Sequence, residues 1–162
     1  MEETYQLEKQ IWTERDFDVM GWHDSNIHAI CFSQLKEYKL VFDIDYIFNW
    51  MHPLEGETYF KFWIAPCTLI FENVYNLVFD FETPLYEFTI SEITKNSPQL
   101  PQNAEYKENE TEYNWVIDTF NGEISFKSTG YKQYVRQQPK LVTEQELDFE
   151  SRGGISFNSK FI

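Results

Sequence analysis

Polar and apolar residues alternate along most of the chain. Residues 38–50 carry Leu40, Phe42, Ile44, Tyr46 and Phe48 on one face and Val41, Asp43, Asp45, Ile47 and Asn49 on the other. This is the period-2 pattern of a strand with one face toward a core. Residues 27–33 alternate less decisively, with Ile27, Ala29 and Cys31 opposing His28, Ile30 and Phe32. A hairpin joining the two through residues 34–37, with Ser33 opposite Tyr38, sets Ile27, Ala29 and Cys31 beside Ile44, Phe42 and Leu40. In that register His28 lies opposite Asp43, and a slip of one residue would mix acids into the apolar face.

Further strands are predicted at 58–65 and 68–74, held apart by Pro66, which cannot donate to a central ladder. Others follow at 76–82 and, after Pro84, at 85–94. Residues 52–57 read as a loop by their Pro and Gly. Residues 95–112, polar and carrying Pro98 and Pro101, read as a mobile loop. Residues 113–120 and 123–128 flank Asn121-Gly122, a dipeptide that favours a type I′ hairpin turn. With Phe120 opposite Glu123, Trp115 and Ile117 fall beside Ser128 and Phe126, and Thr119 beside Ile124. Residues 131–137 form a third strand after Gly130. An acidic segment, 144–150, then leads through Gly153-Gly154 to a last apolar run, 155–162. Thr13 is a helix N-cap with Asp16 closing a capping-box pair, and Gly21 ends that short helix. The pattern predicts one domain over residues 1–162, all-β or β-rich α+β. Its architecture is an antiparallel sandwich or strongly curled sheet with one or two short helices. Residues 38–43 and 75–80 are similar, but alternation alone demands most of that likeness.

Composition narrows the classes. Phe, Tyr and Trp number 15, 10 and 5 in 162 residues, which supplies the large apolar side chains that a disordered chain lacks. Asp and Glu number 27 against 13 Lys and Arg, a formal net charge of −14. Such a surplus argues against nucleic acid as a partner, because phosphate binding relies on Lys and Arg. No apolar run reaches the roughly 18 residues of a membrane span, so no membrane partner is expected. The opening Met1-Glu2-Glu3 lacks the basic and apolar regions of a secretory signal, so the expected compartment is the cytoplasm. Cys31 and Cys67 sit in apolar runs and read as two buried free thiols.

The chain has no glycine-rich phosphate loop, no cysteine pair at metal spacing and no nucleophile elbow. One polar cluster stands out: His23, Asp24 and His28, with Asp43 and Asp45 on the neighbouring strand. It could serve a metal- or carboxylate-dependent hydrolase built on His23, Asp24, His28 and Asp43. A convincing third and fourth ligand is missing, so no metal and no cofactor are expected. The structural alternative has Asp24 capping a turn and His28 paired with Asp43 across the hairpin. A second group, Asp43, Asp45, Asp80 and Glu82, lies on polar strand faces and forms a candidate acidic interface for a basic protein. Trp50, Tyr59, Trp63 and Tyr134 are candidate aromatic anchors.

The motif Trp22-His23-Asp24-x-x-Ile27-His28-Ala29-Ile30, the acidic strand to Trp50, Phe62-Trp63-Ile64-Ala65-Pro66 and Phe71-Glu72-Asn73-Val74 resemble small bacterial domains, some similar to immunity proteins of toxin systems. The resemblance covers roughly residues 17–82 and carries no catalytic motif. It implies a cytoplasmic, non-enzymatic protein-binding module, against the alternatives of the hydrolase and of a structural subunit with no site of its own.

Overall fold

The alternating runs pair antiparallel throughout and divide between two sheets stacked as a β-sandwich. The computed structural model describes residues 4–33, 37–82, 87–107 and 109–162. Most of the expected 34–37 turn, Pro84 and the start of the expected 85–94 strand lie outside the described residues. The strands are β1 (Ile11–Thr13), β2 (Asn26–Ser33), β3 (Lys39–Met51), β4 (Lys61–Glu72), β5 (Tyr75–Phe81), β6 (Ile90–Gln99), β7 (Glu112–Thr119), β8 (Gly122–Ser128), β9 (Gly130–Val135) and β10 (Lys140–Val142). Sheet A runs β1-β9-β4-β3-β2, with β10 also paired to β4; sheet B runs β5-β8-β7-β6.

The inward faces meet in one apolar core. Leu40, Phe42, Ile44 and Tyr46 of β3 and Ala65, Cys67, Leu69 and Phe71 of β4 face Ile93, Trp115, Ile117, Ile124 and Phe126 of sheet B. Phe71 sits at its centre, with ring centroids 4.7 Å from Phe126 and 5.1 Å from Trp115, edge-on arrangements that suit aromatic quadrupoles. Burial pushes the Tyr46 phenol up to about 12 and raises the Cys67 thiol as well. Cys67 is buried as expected; Cys31, on the edge strand β2, is only half-buried.

The β2–β3 hairpin keeps the expected register at one end only. Ile27 pairs with Ile44, but a bulge at His28 shifts the rest by one, so Ala29 pairs with Asp43 and Ser33 with Lys39. The slip is tolerated because β2 is an edge strand, half-buried over most of its length.

Pro66 does not divide two strands but lies inside β4. The reason is local. The Pro66 carbonyl accepts from the Arg136 N–H at 2.9 Å, and the N and C=O of one strand residue point the same way. The missing N–H therefore faces the gap where β9 ends, at Val135, and before β10 begins, at Lys140.

In sheet B, β6 runs on to Gln99, so residues 95–99 of the expected loop are strand, and Ala104–Tyr106 is a 3-10 turn. The β7–β8 turn is displaced by one residue from the Asn121-Gly122 expectation. Thr119 pairs with Gly122 across Phe120-Asn121, and Trp115 meets Phe126 rather than Ser128. Gly122 has φ 141°, and a Cβ there would lie 2.0 Å from the Asp80 carbonyl oxygen, so the glycine is needed for close packing of β5 on β8 rather than for the turn centre. The strand after Gly130 does not extend sheet B. It crosses to sheet A and pairs with β4 and β1.

The Thr13 capping box forms: the Asp16 carboxylate accepts the Thr13 N–H at 2.8 Å. The helix is a 3-10 helix, Glu14–Val19, and Met20, not Gly21, closes it. No helix among the described residues is long and apolar enough to cross a membrane.

Candidate functional site

The outward face of β3 is not open to solvent. Val41, Asp43, Asp45 and Ile47 are all buried, because the segment after β9 folds back across sheet A. Leu147 and Val142 of that segment close an apolar cluster with Ile47, Phe62 and Ile64. Beside it lies a charged core. Asp43 Oδ1 accepts from Arg136 Nη2 at 2.7 Å and from Arg152 Nη2 at 2.6 Å; Oδ2 accepts from Arg152 Nη1 and from the Ser156 N–H, both at 2.9 Å. Asp45 accepts from Arg152 Nε at 3.1 Å, the Leu147 N–H at 2.9 Å and His28 Nε2 at 2.9 Å. Arg136 also donates to the Thr68 hydroxyl at 2.9 Å and the Ser156 carbonyl at 2.7 Å.

Asp43 and Asp45 are 0% exposed and Arg152 is 1% exposed. Burial works to raise the Asp43 carboxyl. Hydrogen bonds from Arg152, the Ser156 N–H and Arg136 outweigh it and hold Asp43 below the usual carboxylate range. Burial likewise opposes the charge of Arg152, and the carboxylates of Asp43 and Asp45 reverse the effect and raise it.

This geometry corrects three expectations. His28 pairs with Asp45, not with Asp43, because the bulge displaces it along the edge. Asp43 and Asp45 cannot belong to an exposed acidic interface. The proposed hydrolase set does not converge: both Asp43 oxygens already accept two hydrogen bonds, leaving no oxygen directed at a substrate. His23 lies apart from it, donating from Nδ1 to the Ser91 carbonyl at 3.1 Å and stacked on Trp50. Its Nε2 is 3.7 Å from Asp24. Asp24, at φ 63°, occupies a turn and accepts from Gln145 at 2.7 Å. Asp24 and His28 do share a cleft of about 500 Å³ with Glu87, Glu144 and Glu146.

A different acidic surface emerges on sheet B. Glu92 pairs with Asp118, Asp118 with Glu123, and Glu123 with Asp80. One carboxylate from each of the four strands therefore falls in a single row across the outer face. At ordinary strand spacing the row is about 14 Å long, with like charges directly opposite one another, an unfavourable arrangement in a sheet. Glu92, Glu123 and Asp80 are exposed and Asp118 half-buried. Among the described residues the lysine pairs lie elsewhere, on Asp16, Glu57, Glu14, Glu37, Glu110 and Glu72. Lys127 is four residues from Glu123 along β8, roughly 13 Å. Glu82, the other residue expected here, is exposed two residues beyond Asp80.

Sequence reasoning places Asp80 and Asp118 on polar strand faces but does not join them, and it misses Glu92 and Glu123, since only the registers of β5–β8, β7–β8 and β6–β7 align the four. It also missed Arg136 and Arg152. The available signal was that two acids on a strand with an apolar flank need cations if that flank is covered.

Of the aromatic anchors, Trp50 and Tyr59 are exposed at the β3–β4 connection, Tyr134 is half-buried, and Trp63 is buried. Comparison with protein-family models, curated proteins and solved structures finds no match.

Proposed function

We propose that this protein is a non-enzymatic binding module that presents the outer face of sheet B to a basic protein, in the manner of immunity proteins that mask a toxin. One observation carries the reading: the row Asp80, Glu123, Asp118 and Glu92 concentrates four acids with no paired cation among the described residues. Cross-strand like charges oppose folding, by a few tenths of a kcal/mol per pair. A sheet under no other demand would intersperse lysines there. A row of this kind focuses negative potential on one face, speeds encounter with a basic surface and deters acidic partners. Nuclease toxins carry basic surfaces for phosphate, which such a face can occupy.

The test uses the product of the adjacent reading frame as the partner, with association followed by stopped flow. The expected result is an on-rate that falls as salt shortens the Debye length from about 10 to 3 Å. It should fall again in the combined variant Asp80→Asn, Glu92→Gln, Asp118→Asn and Glu123→Gln. An on-rate indifferent to both changes, or no association at all, overturns the reading.

A further inference from the structure

The segment after Val142 has almost no regular secondary structure, yet it covers Asp43, Asp45 and Ile47 on the outward face of β3. Its grip on sheet A is mostly polar: Leu147 is its one buried apolar side chain, and Thr68, Arg136 and Lys140 also donate to its Asn158, Ser156 and Ser151 carbonyls. Leu147 enters the apolar cluster with Ile47 and Ile64. The Leu147 and Ser156 N–H groups reach Asp45 and Asp43. The Arg152 guanidinium forks onto both carboxylates through Nε, Nη1 and Nη2. At the far end, Ile162 donates its N–H to the Arg136 carbonyl.

Such a grip is specific rather than strong. The desolvation of buried ions offsets most of their attraction, so an ion-pair core adds little net stability while making the geometry exacting. The sandwich beneath rests on apolar burial and on its strand ladders. Units held by few apolar contacts open at lower free energy than the core they cover.

We infer that residues 143–162 form a releasable strap, and that the Asp43–Asp45 pair beneath it is a guanidinium-binding site which Arg152 fills from within the same chain. The ligand class follows from the donors that Arg152 uses. Two carboxylates on one strand face accept three N–H groups of one planar cation, a fork that an ammonium cannot reproduce. When the strap lifts, the acids stay positioned by β3 and Arg136 holds one oxygen of Asp43. The opened face then offers the pair, flanked by Val41, Ile47 and Ile64, to an arginine of another protein. This inference is independent of the acidic row on sheet B, which lies on the other sheet.

The test is hydrogen exchange on the full chain, read at the Leu147 and Ser156 amides and at β7 and β8. In Arg152→Ala, the two strap amides should exchange about a hundredfold faster or more, as expected for one partner removed from a buried pair, while the β7 and β8 amides keep their protection. Millimolar ethylguanidinium should restore strap protection with a saturating dependence. Ethylammonium should not, the wild type should be unaffected, and Arg152→Lys should behave like Arg152→Ala. Equal rescue by ethylammonium and ethylguanidinium overturns the guanidinium site. Equal loss of protection in strap and sheet B overturns the releasable strap. If Arg152→Ala does not fold, native-state exchange of the wild type in low urea decides the strap, which must open below the denaturant needed to expose β7 and β8. Failure of that ordering overturns it. Ethylguanidinium rescue of refolding by Arg152→Ala, absent with ethylammonium, then decides the site.

Discussion

The two faces of β3 are built from adjacent residues of one strand, yet they are held by different physics. Inward, Leu40, Phe42, Ile44 and Tyr46 meet sheet B across apolar contacts. These stabilise by removing area from water, at roughly 25 cal/mol per Å². Outward, Asp43 and Asp45 are as fully buried, but they meet Arg136, Arg152 and main-chain N–H groups. Apolar packing spreads its attraction over many individually weak contacts. In an ion-pair core each unsatisfied charge carries its whole desolvation cost. The difference teaches that equal burial does not mean equal contribution: the inner face supplies stability, and the outer face specifies where the C-terminal segment lies.

The largest expected effect breaks the outer face. Asp43→Ala strands Arg136 and Arg152 in a buried site and should cost about 3–5 kcal/mol, read as a lowered urea midpoint. Replacing the set together, Asp43→Leu with Asp45→Leu, Arg136→Met and Arg152→Met, should cost less than Asp43→Ala alone, since no unpaired charge remains. A larger loss in the fourfold variant would show the ion pairs to be net stabilising and erase the contrast. On the inner face, Ile44→Ala should cost about 3 kcal/mol through lost burial and a cavity, with little dependence on pH.

Acidity separates the two faces next. The Asp43 carboxyl is held below its ordinary value, so its contribution is fully present above the unfolded value, near 3.9. It is lost as pH falls through the folded value. Urea midpoints of the wild type should therefore drop below about pH 4, and Asp43→Asn, though less stable at neutral pH, should lack that part of the drop. Identical pH slopes in the two proteins would refute the assignment. The smallest effect belongs to sheet B. Glu123→Gln, between Asp80 and Asp118, should stabilise by about 0.2–1 kcal/mol at low salt and by less at high salt. Destabilisation would mean that the row is compensated.

Alternation alone located most strands, the all-β class and the inward set from Leu40 to Tyr46. It did so because a period of two is a local property that any half-buried sheet imposes. The Thr13–Asp16 box was equally legible, being contained within four residues. What lay beyond reach was set by pairings distant in sequence. Asp43 and Asp45 look the same whether water or Arg152, more than a hundred residues away, lies above them, and alternation reports sidedness without saying what covers a face. Pro66 was misjudged as a break because its tolerance depends on β9 ending beside it. The row from Asp80 to Glu92 exists only once β5, β8, β7 and β6 take their registers. Local sterics and hydrophobic periodicity thus determined the elements, whereas desolvation and charge pairing between distant segments, which only the tertiary structure brings together, decided which acids are buried and which face outward.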